Sequence, residues 1–175
     1  MINLIRCFRF LNSFNLIKLV NEVTEDVFST AIDCDHNFEQ LFKWKSFDNG
    51  FSEAKLIKKP IFFLIYKLGC PACDQLKEKF SKSVRLMDLT DRFVMIKLEA
   101  QNNKILNKEK FQPDGKYVPR ILFFNSDGNL IVEAYNRHQN ADQSNKYFYK
   151  NPSEIVETML FVLKEYYNEP LPMVL

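Results

Sequence analysis

The apolar run Pro60-Ile61-Phe62-Phe63-Leu64-Ile65-Tyr66, followed almost at once by Cys70-Pro71-Ala72-Cys73, limits what this chain can fold into more than any other feature. A short, unbroken stretch of aromatic and β-branched residues behind a proline reads as a buried strand. Beyond the cysteines, Leu76, Phe80, Val84 and Met87 recur three or four residues apart, the period of a helix with one buried face. Strand, sharp turn with two cysteines, then helix is an arrangement suited to dithiol chemistry. Cys70 falls at the helix N-terminus, where unpaired N–H groups and the positive end of the macrodipole favour a thiolate over a thiol. Cys73 lies one turn on, within reach for a disulfide. Pro71 suits the first helical position, where a backbone N–H would be orphaned in any case.

The 175 residues suffice for one domain with a real core plus an appendage, and 17 phenylalanines point to an aromatic interior. A net charge of +2 with near-balanced acids and bases gives no reason to expect nucleic acid as a partner. Four cysteines are too few for a disulfide scaffold, so Cys70 and Cys73 read as functional, while Cys7 and Cys34 have no assigned use. No stretch has the roughly 18 charge-poor apolar residues of a membrane span. Residues 1–21 carry no Asp or Glu, but Arg6, Arg9, Asn12, Asn15 and Lys18 interrupt their apolar run. A secretory signal, a transit-type presequence and no targeting role all stay open there.

Three regions are expected: an N-terminal segment over 1–40, either a targeting sequence or disordered, a domain over 41–168, and a short tail over 169–175. Within the domain the patterns predict a strand around Phe42–Trp44 and a helix from Phe47 to Lys58, its apolar positions including Phe51, Ala54 and Leu56-Ile57. The strand and helix of the cysteine motif follow, then a strand over Phe93–Leu98 buried on both faces. A helical patch around Asn103–Lys110 leads to a turn at Pro113-Asp114-Gly115. The strand Ile121–Phe124 is joined through the turn Asn125-Ser126-Asp127-Gly128 to a partner at Leu130–Val132. A last helix starts at Asn151-Pro152-Ser153-Glu154 and is stopped by Pro170 and Pro172. The lysine-rich stretches 55–59 and 77–82 read as solvated helix faces. This order predicts an α/β domain with a mixed central sheet and helices on both faces.

The dithiol at a helix start, with an isolated proline ahead of a later strand, resembles the thioredoxin fold. Four stretches resemble one branch of it, the small thiol oxidoreductases of the endoplasmic reticulum that include the thioredoxin domain-containing protein 12 type and are related to the anterior gradient proteins. They are Lys67-Leu68-Gly69-Cys70-Pro71-Ala72-Cys73, Phe93–Glu99, Phe111-Gln112-Pro113-Asp114-Gly115-Lys116-Tyr117-Val118-Pro119-Arg120-Ile121-Leu122-Phe123 and Lys146-Tyr147-Phe148-Tyr149. The likeness covers roughly Trp44 to Lys164. It implies a protein-disulfide reductase in which Cys70 attacks and Cys73 resolves. It also implies a cis-proline at Pro119 facing the cysteines, with Val118 and Pro71 on the substrate side. A cis X-Pro bond would turn the Val118 backbone outward to pair with an extended substrate. The implied compartment is the endoplasmic reticulum lumen, although Leu171-Pro172-Met173-Val174-Leu175 is no retrieval tetrapeptide. The implied partners are proteins with disulfides or thiols, and glutathione as co-substrate. No other cofactor and no metal are expected, and the chain would act as a monomer.

This sequence departs from that pattern in three places. Gly69 stands where relatives place Trp, which bares the site. Pro71 stands in place of the usual Gly and resembles the Cys-Pro-X-Cys of glutaredoxins, which favours glutathione-linked chemistry. Leu64 replaces the buried Asp that thioredoxins use to take the resolving cysteine's proton, leaving Glu99 as the candidate substitute. Lys67 would favour the Cys70 thiolate and Asp74 would oppose it. Other readings remain beside these. Cys34 and His36 could complete a zinc site with the dithiol. Tyr147, Phe148 and Tyr149 could line a substrate surface or join the core, and His138 has no named partner. The chain could also be a non-enzymatic, chaperone-like client-binding module of the anterior gradient type. Those relatives tend to keep only the first cysteine, whereas Cys73 is present here.

Overall fold

The computed structural model describes Phe38 and residues 40–169, all within the second of two units, Cys34–Leu175. Strand β1 (Ile61–Tyr66) starts directly after Pro60 and is the middle of a three-stranded sheet of order β2-β1-β3. It runs parallel to β2 (Val94–Glu99), from Ile61↔Val94 to Tyr66↔Glu99, and antiparallel to β3 (Arg120–Phe124), from Ile61↔Phe124 to Ile65↔Arg120. A parallel neighbour needs a crossover connection. That crossover is α2 (Pro71–Ser81) and α3 (Val84–Thr90); α1 (Phe47–Ile57) precedes the sheet and α4 (Pro152–Tyr167) ends the domain.

Because successive side chains on a strand point to opposite faces, β1 supplies two cores. Phe62 and Leu64 join Leu76, Phe80, Met95, Phe123, Met159 and Val162 on the side of α2, α3 and α4. Ile61, Phe63 and Ile65 join Ala54, Ile96, Phe111, Leu122 and Phe124 on the side of α1. The mixed sheet with helices on both faces is therefore as expected. The first core reaches back to Phe38, fully buried and stacked edge-on against Phe80 at 5.4 Å between ring centroids. On the other face α1 lies so close to β2 that a Cβ on Gly50 would meet Ile96 Cδ1 at 2.5 Å.

Several elements differ from their sequence patterns. The strand around Phe42–Trp44 is reduced to a single bridge, Lys45 with Ile96. The periodic stretch from Leu76 to Met87 is two helices. Ser83 caps the second by accepting from Leu86 N–H at 3.3 Å, an alternative bond that competes with a continuous helix and leaves Val84 exposed. Strand β2, at one edge of the sheet order, is buried at Val94, Met95 and Ile96 and only half-buried from Lys97 to Glu99. The patch at Asn103–Lys110 is two 3₁₀ turns, Lys104–Asn107 and Glu109–Phe111. The partner of β3 is one bridge, Phe124 with Leu130, behind a turn in which Asn125 Oδ1 accepts from the amides of Asp127 and Asn129. Leu56 and Ile57 are exposed, not core. Helix α4 ends at Asn168 in the left-handed conformation, ahead of either proline.

Candidate active site

The loop 67–70 leaves the end of β1 and delivers Cys70 to the N-cap of α2. There Cys70 Sγ accepts from Cys73 N–H at 3.4 Å, and its carbonyl accepts the first helical bond, from Asp74 N–H at 3.0 Å. Pro71 occupies the first turn, as its missing N–H allows. Gly69 turns the chain at φ +67°, with open space where a side chain would stand. The two cysteines are free thiols in unequal surroundings: Cys70 is half-buried and Cys73 is 1% exposed.

Burial pushes the Cys73 thiol up to about 12, and its hydrogen bond to Cys70 works in the same direction, as does the charge of Asp74. The backbone N–H of Lys67 opposes them. The contribution of Lys67 seen here is thus its amide acting on Cys73, while its side chain is exposed. Leu64 is buried in the core at 2% exposure, so this position offers no carboxylate. Glu99 is level with Tyr66 at the same end of the sheet but is not among the groups acting on Cys73.

The Val118–Pro119 bond is cis. Arg120 is the first residue of β3 and pairs with Ile65, so Val118 and Pro119 lie just ahead of β3 at the end of the sheet from which the Cys70 loop leaves β1. Neither the N–H nor the C=O of Val118 bonds to another described residue.

The sequence patterns gave no role to three neighbours of this segment. Tyr117 OH donates to Asp114 Oδ2 at 2.7 Å and accepts from Tyr147 N–H at 3.0 Å, while Asp114 Oδ2 also accepts from Lys146 N–H at 2.7 Å. The buried Arg120 donates to the Tyr117 carbonyl, and its guanidinium lies 5.5 Å from the centroid of the Tyr117 ring. The available signal was an Asp and a Tyr three residues apart, directly ahead of Val118-Pro119. Tyr147 and Tyr149 are buried, so that cluster belongs to the core. Lys77, expected on a solvated face, is 7% exposed, with its ammonium 4.8 Å from the centroid of the Tyr66 ring. His138 Nδ1 accepts from Asn140 N–H at 3.3 Å. Cys7, Cys34 and His36 lie outside the described residues. Among the described residues no group of three or more His, Cys, Asp or Glu is placed to hold a metal ion, and no helix is long and apolar enough to cross a membrane.

The buried phenols share the bias of Cys73 toward the neutral form. Burial pushes Tyr147 up to about 12 and raises Tyr117 and Tyr149 further. These acids ionise more readily unfolded, near 9.0 for cysteine and 10.0 for tyrosine. Their contribution to stability is therefore complete below pH 9 and is lost as pH rises toward 12. The urea midpoint should be flat between about pH 7 and 9 and fall steeply above about pH 10; a midpoint unchanged at pH 11 would contradict the burial of these groups.

Comparison with known proteins agrees with this arrangement. Residues 43–126 match the family described as thioredoxin-like. Anterior gradient protein 2 homolog of Homo sapiens is 28% identical over 96 residues, covering 55% of this chain and 51% of the relative. Anterior gradient protein 3 of Xenopus tropicalis is 31% identical over 91 residues, covering 51% of this chain and 52% of the relative. The chain thus spans about half the length of the curated relatives it matches. The solution structure of a thioredoxin from Thermus thermophilus superposes with a TM-score of 0.50 at 12% identity, covering 73% of this chain and 93% of that one. From its sheet order, its dithiol helix and these likenesses, the domain has the thioredoxin fold.

Proposed function

We propose that this domain is a thiol–disulfide oxidoreductase of protein substrates, working through Cys70 and Cys73 in the manner of the thioredoxin domain-containing protein 12 type, with glutathione as co-substrate. The observation that carries this reading is the inequality of the two sulfurs: one half-buried at a helix N-terminus, the other buried and held as a thiol against the first. The N-terminal cysteine is the one a substrate can reach, since Cys70 is half-buried where Cys73 is closed off.

In the reductive direction Cys70 thiolate attacks one sulfur of a substrate disulfide. The substrate S–S bond breaks, a Cys70–substrate disulfide forms, and the departing substrate sulfur leaves as a thiolate. Cys73 then gives up its proton to that thiolate and attacks Cys70 Sγ, which releases the second substrate sulfur. The substrate gains two electrons and the domain is left with a Cys70–Cys73 disulfide. Two glutathione thiols reduce that bridge, becoming one glutathione disulfide. Pro71, Val118 and Pro119 line the substrate side, and the unbonded Val118 backbone is suited to pair with an extended chain.

The lumen of the endoplasmic reticulum is the compartment this reading assigns, supported by the likeness to anterior gradient proteins. The domain acts there as a monomer. A chaperone-like, non-enzymatic role is the alternative that the same likeness raises, and the presence of Cys73 speaks against it. Incubating the reduced protein in a series of glutathione redox buffers, followed by alkylation and mass spectrometry, decides between them. An oxidoreductase shows a reversible two-electron transition confined to Cys70 and Cys73, together with glutathione-dependent reduction of a peptide disulfide. A protein whose pair stays reduced throughout the series and turns over no disulfide is not an enzyme of this kind.

A further inference from the structure

We propose that Tyr117 and Asp114 form a positioning device that fixes the Val118–Pro119 backbone for substrate pairing, an inference that rests on the oxidoreductase reading above. Val118 sits between two anchors. On its C-terminal side, Arg120 is the first residue of β3 and pairs with Ile65. On its N-terminal side, Tyr117 is held by four contacts: its hydroxyl as donor to Asp114, the same hydroxyl as acceptor from Tyr147 N–H, its carbonyl under Arg120, and its ring under the Arg120 guanidinium. Asp114 in turn binds Lys146 N–H, and Ile121 N–H donates to Tyr147 O at 3.0 Å. Segments 114–121 and 146–147 are thereby laced together on both sides of Val118, whose backbone groups bond to no other described residue.

A buried guanidinium held against two half-buried polar side chains is costly unless the network specifies a geometry. Arg120 is 2% exposed, and neither its Nε nor the buried Asp114 Oδ1 has a hydrogen-bond partner among the described residues. A cluster kept for stability alone would more simply be apolar. Burial together with the Asp114 hydrogen bond keeps the Tyr117 hydroxyl protonated, so its donor role holds across the neutral range. What the cluster holds still is a free strand edge, and the loss from a loosened edge falls on substrates that must pair with it.

Tyr117→Phe removes only the hydroxyl and leaves the ring against Arg120; Asp114→Ala removes the same hydrogen bond from its other end. Both are compared with wild type for glutathione-driven reduction of an extended peptide with one intramolecular disulfide, for alkylation of Cys70 by iodoacetamide, and for the urea midpoint. Each variant should raise KM for the peptide about tenfold, with kcat and the Cys70 alkylation rate within about twofold of wild type. The double variant should raise KM by less than the product of the two single effects, because both delete the Tyr117–Asp114 hydrogen bond, while each also loses one backbone contact of its own, from Tyr147 N–H or from Lys146 N–H. An unchanged KM in a folded variant overturns the inference, as does a parallel fall in alkylation and kcat, which would mark a general loosening of the site. Should Tyr117→Phe fail to fold, Asp114→Ala decides on the same criteria. A wild type that turns over no peptide disulfide overturns the oxidoreductase reading itself, whereas an active wild type with indifferent variants overturns only the role of Tyr117 and Asp114.

Discussion

Cys73→Ala should accumulate mixed disulfides through Cys70 that dithiothreitol releases, and Cys70→Ala should accumulate none. Both variants should lose turnover, Cys70→Ala by on the order of 10³-fold or more, because the attacking atom itself is gone. The asymmetry follows from burial. Cys73 is closed off from solvent and protonated, so it cannot capture an incoming substrate; its reach is limited to the neighbouring sulfur. Removing it leaves the first step intact and deletes the second, and the covalent intermediate persists. Non-reducing gels with mass spectrometry of the trapped species check this. Equal trapping by both variants would mean that the burial difference does not separate the roles.

Phe80→Ala should cost about 3–5 kcal/mol, a large share of the 5–15 kcal/mol typical of a whole domain. Phe80 is fully buried on α2, seven residues past Cys73, with its ring 4.6 Å from Phe42, 5.4 Å from Phe38 and 5.7 Å from Phe62 between centroids. Truncation opens a cavity lined by rigid rings, which cannot collapse into it as flexible side chains do. The effect should reach the site as well. With its anchor loosened, α2 moves off the sheet and Cys73 becomes open to alkylation in the native state. Leu56→Ala is the control: at 82% exposure it should stay within about 0.5 kcal/mol of wild type. Urea unfolding of the three proteins, read together with the alkylation rate of Cys73, tests both parts. A loss below about 1 kcal/mol for Phe80→Ala would contradict the packing described here.

The features that were legible in the sequence are the ones governed by short-range rules. Pro71 and Asn151-Pro152 marked helix starts because a fixed φ and a missing N–H act on their own residue. The run 61–66 was a strand in any context, since unbroken aromatic and β-branched residues have few other stable uses. Where the patterns misled, a competing local bond or a distant segment had won. Ser83 split a continuous apolar period with one hydroxyl, and the strand around Phe42–Trp44 dissolved because those rings pack inward on Phe80 and leave only Lys45 to bridge β2. Lys77 went inward because Tyr66 and Phe38 stand where its ammonium can lie against their faces.

From the chain alone came the dithiol, its place at a helix start and the mixed sheet around it, because capping, φ restriction and side-chain alternation each act within a few residues. Tertiary structure alone decided which sulfur is hidden and how Asp114, Tyr117 and Arg120 close around the free edge at Val118. Burial and hydrogen bonding at a point depend on what other segments bring to it, and here residues from Phe38 to Tyr147 must meet before either is settled.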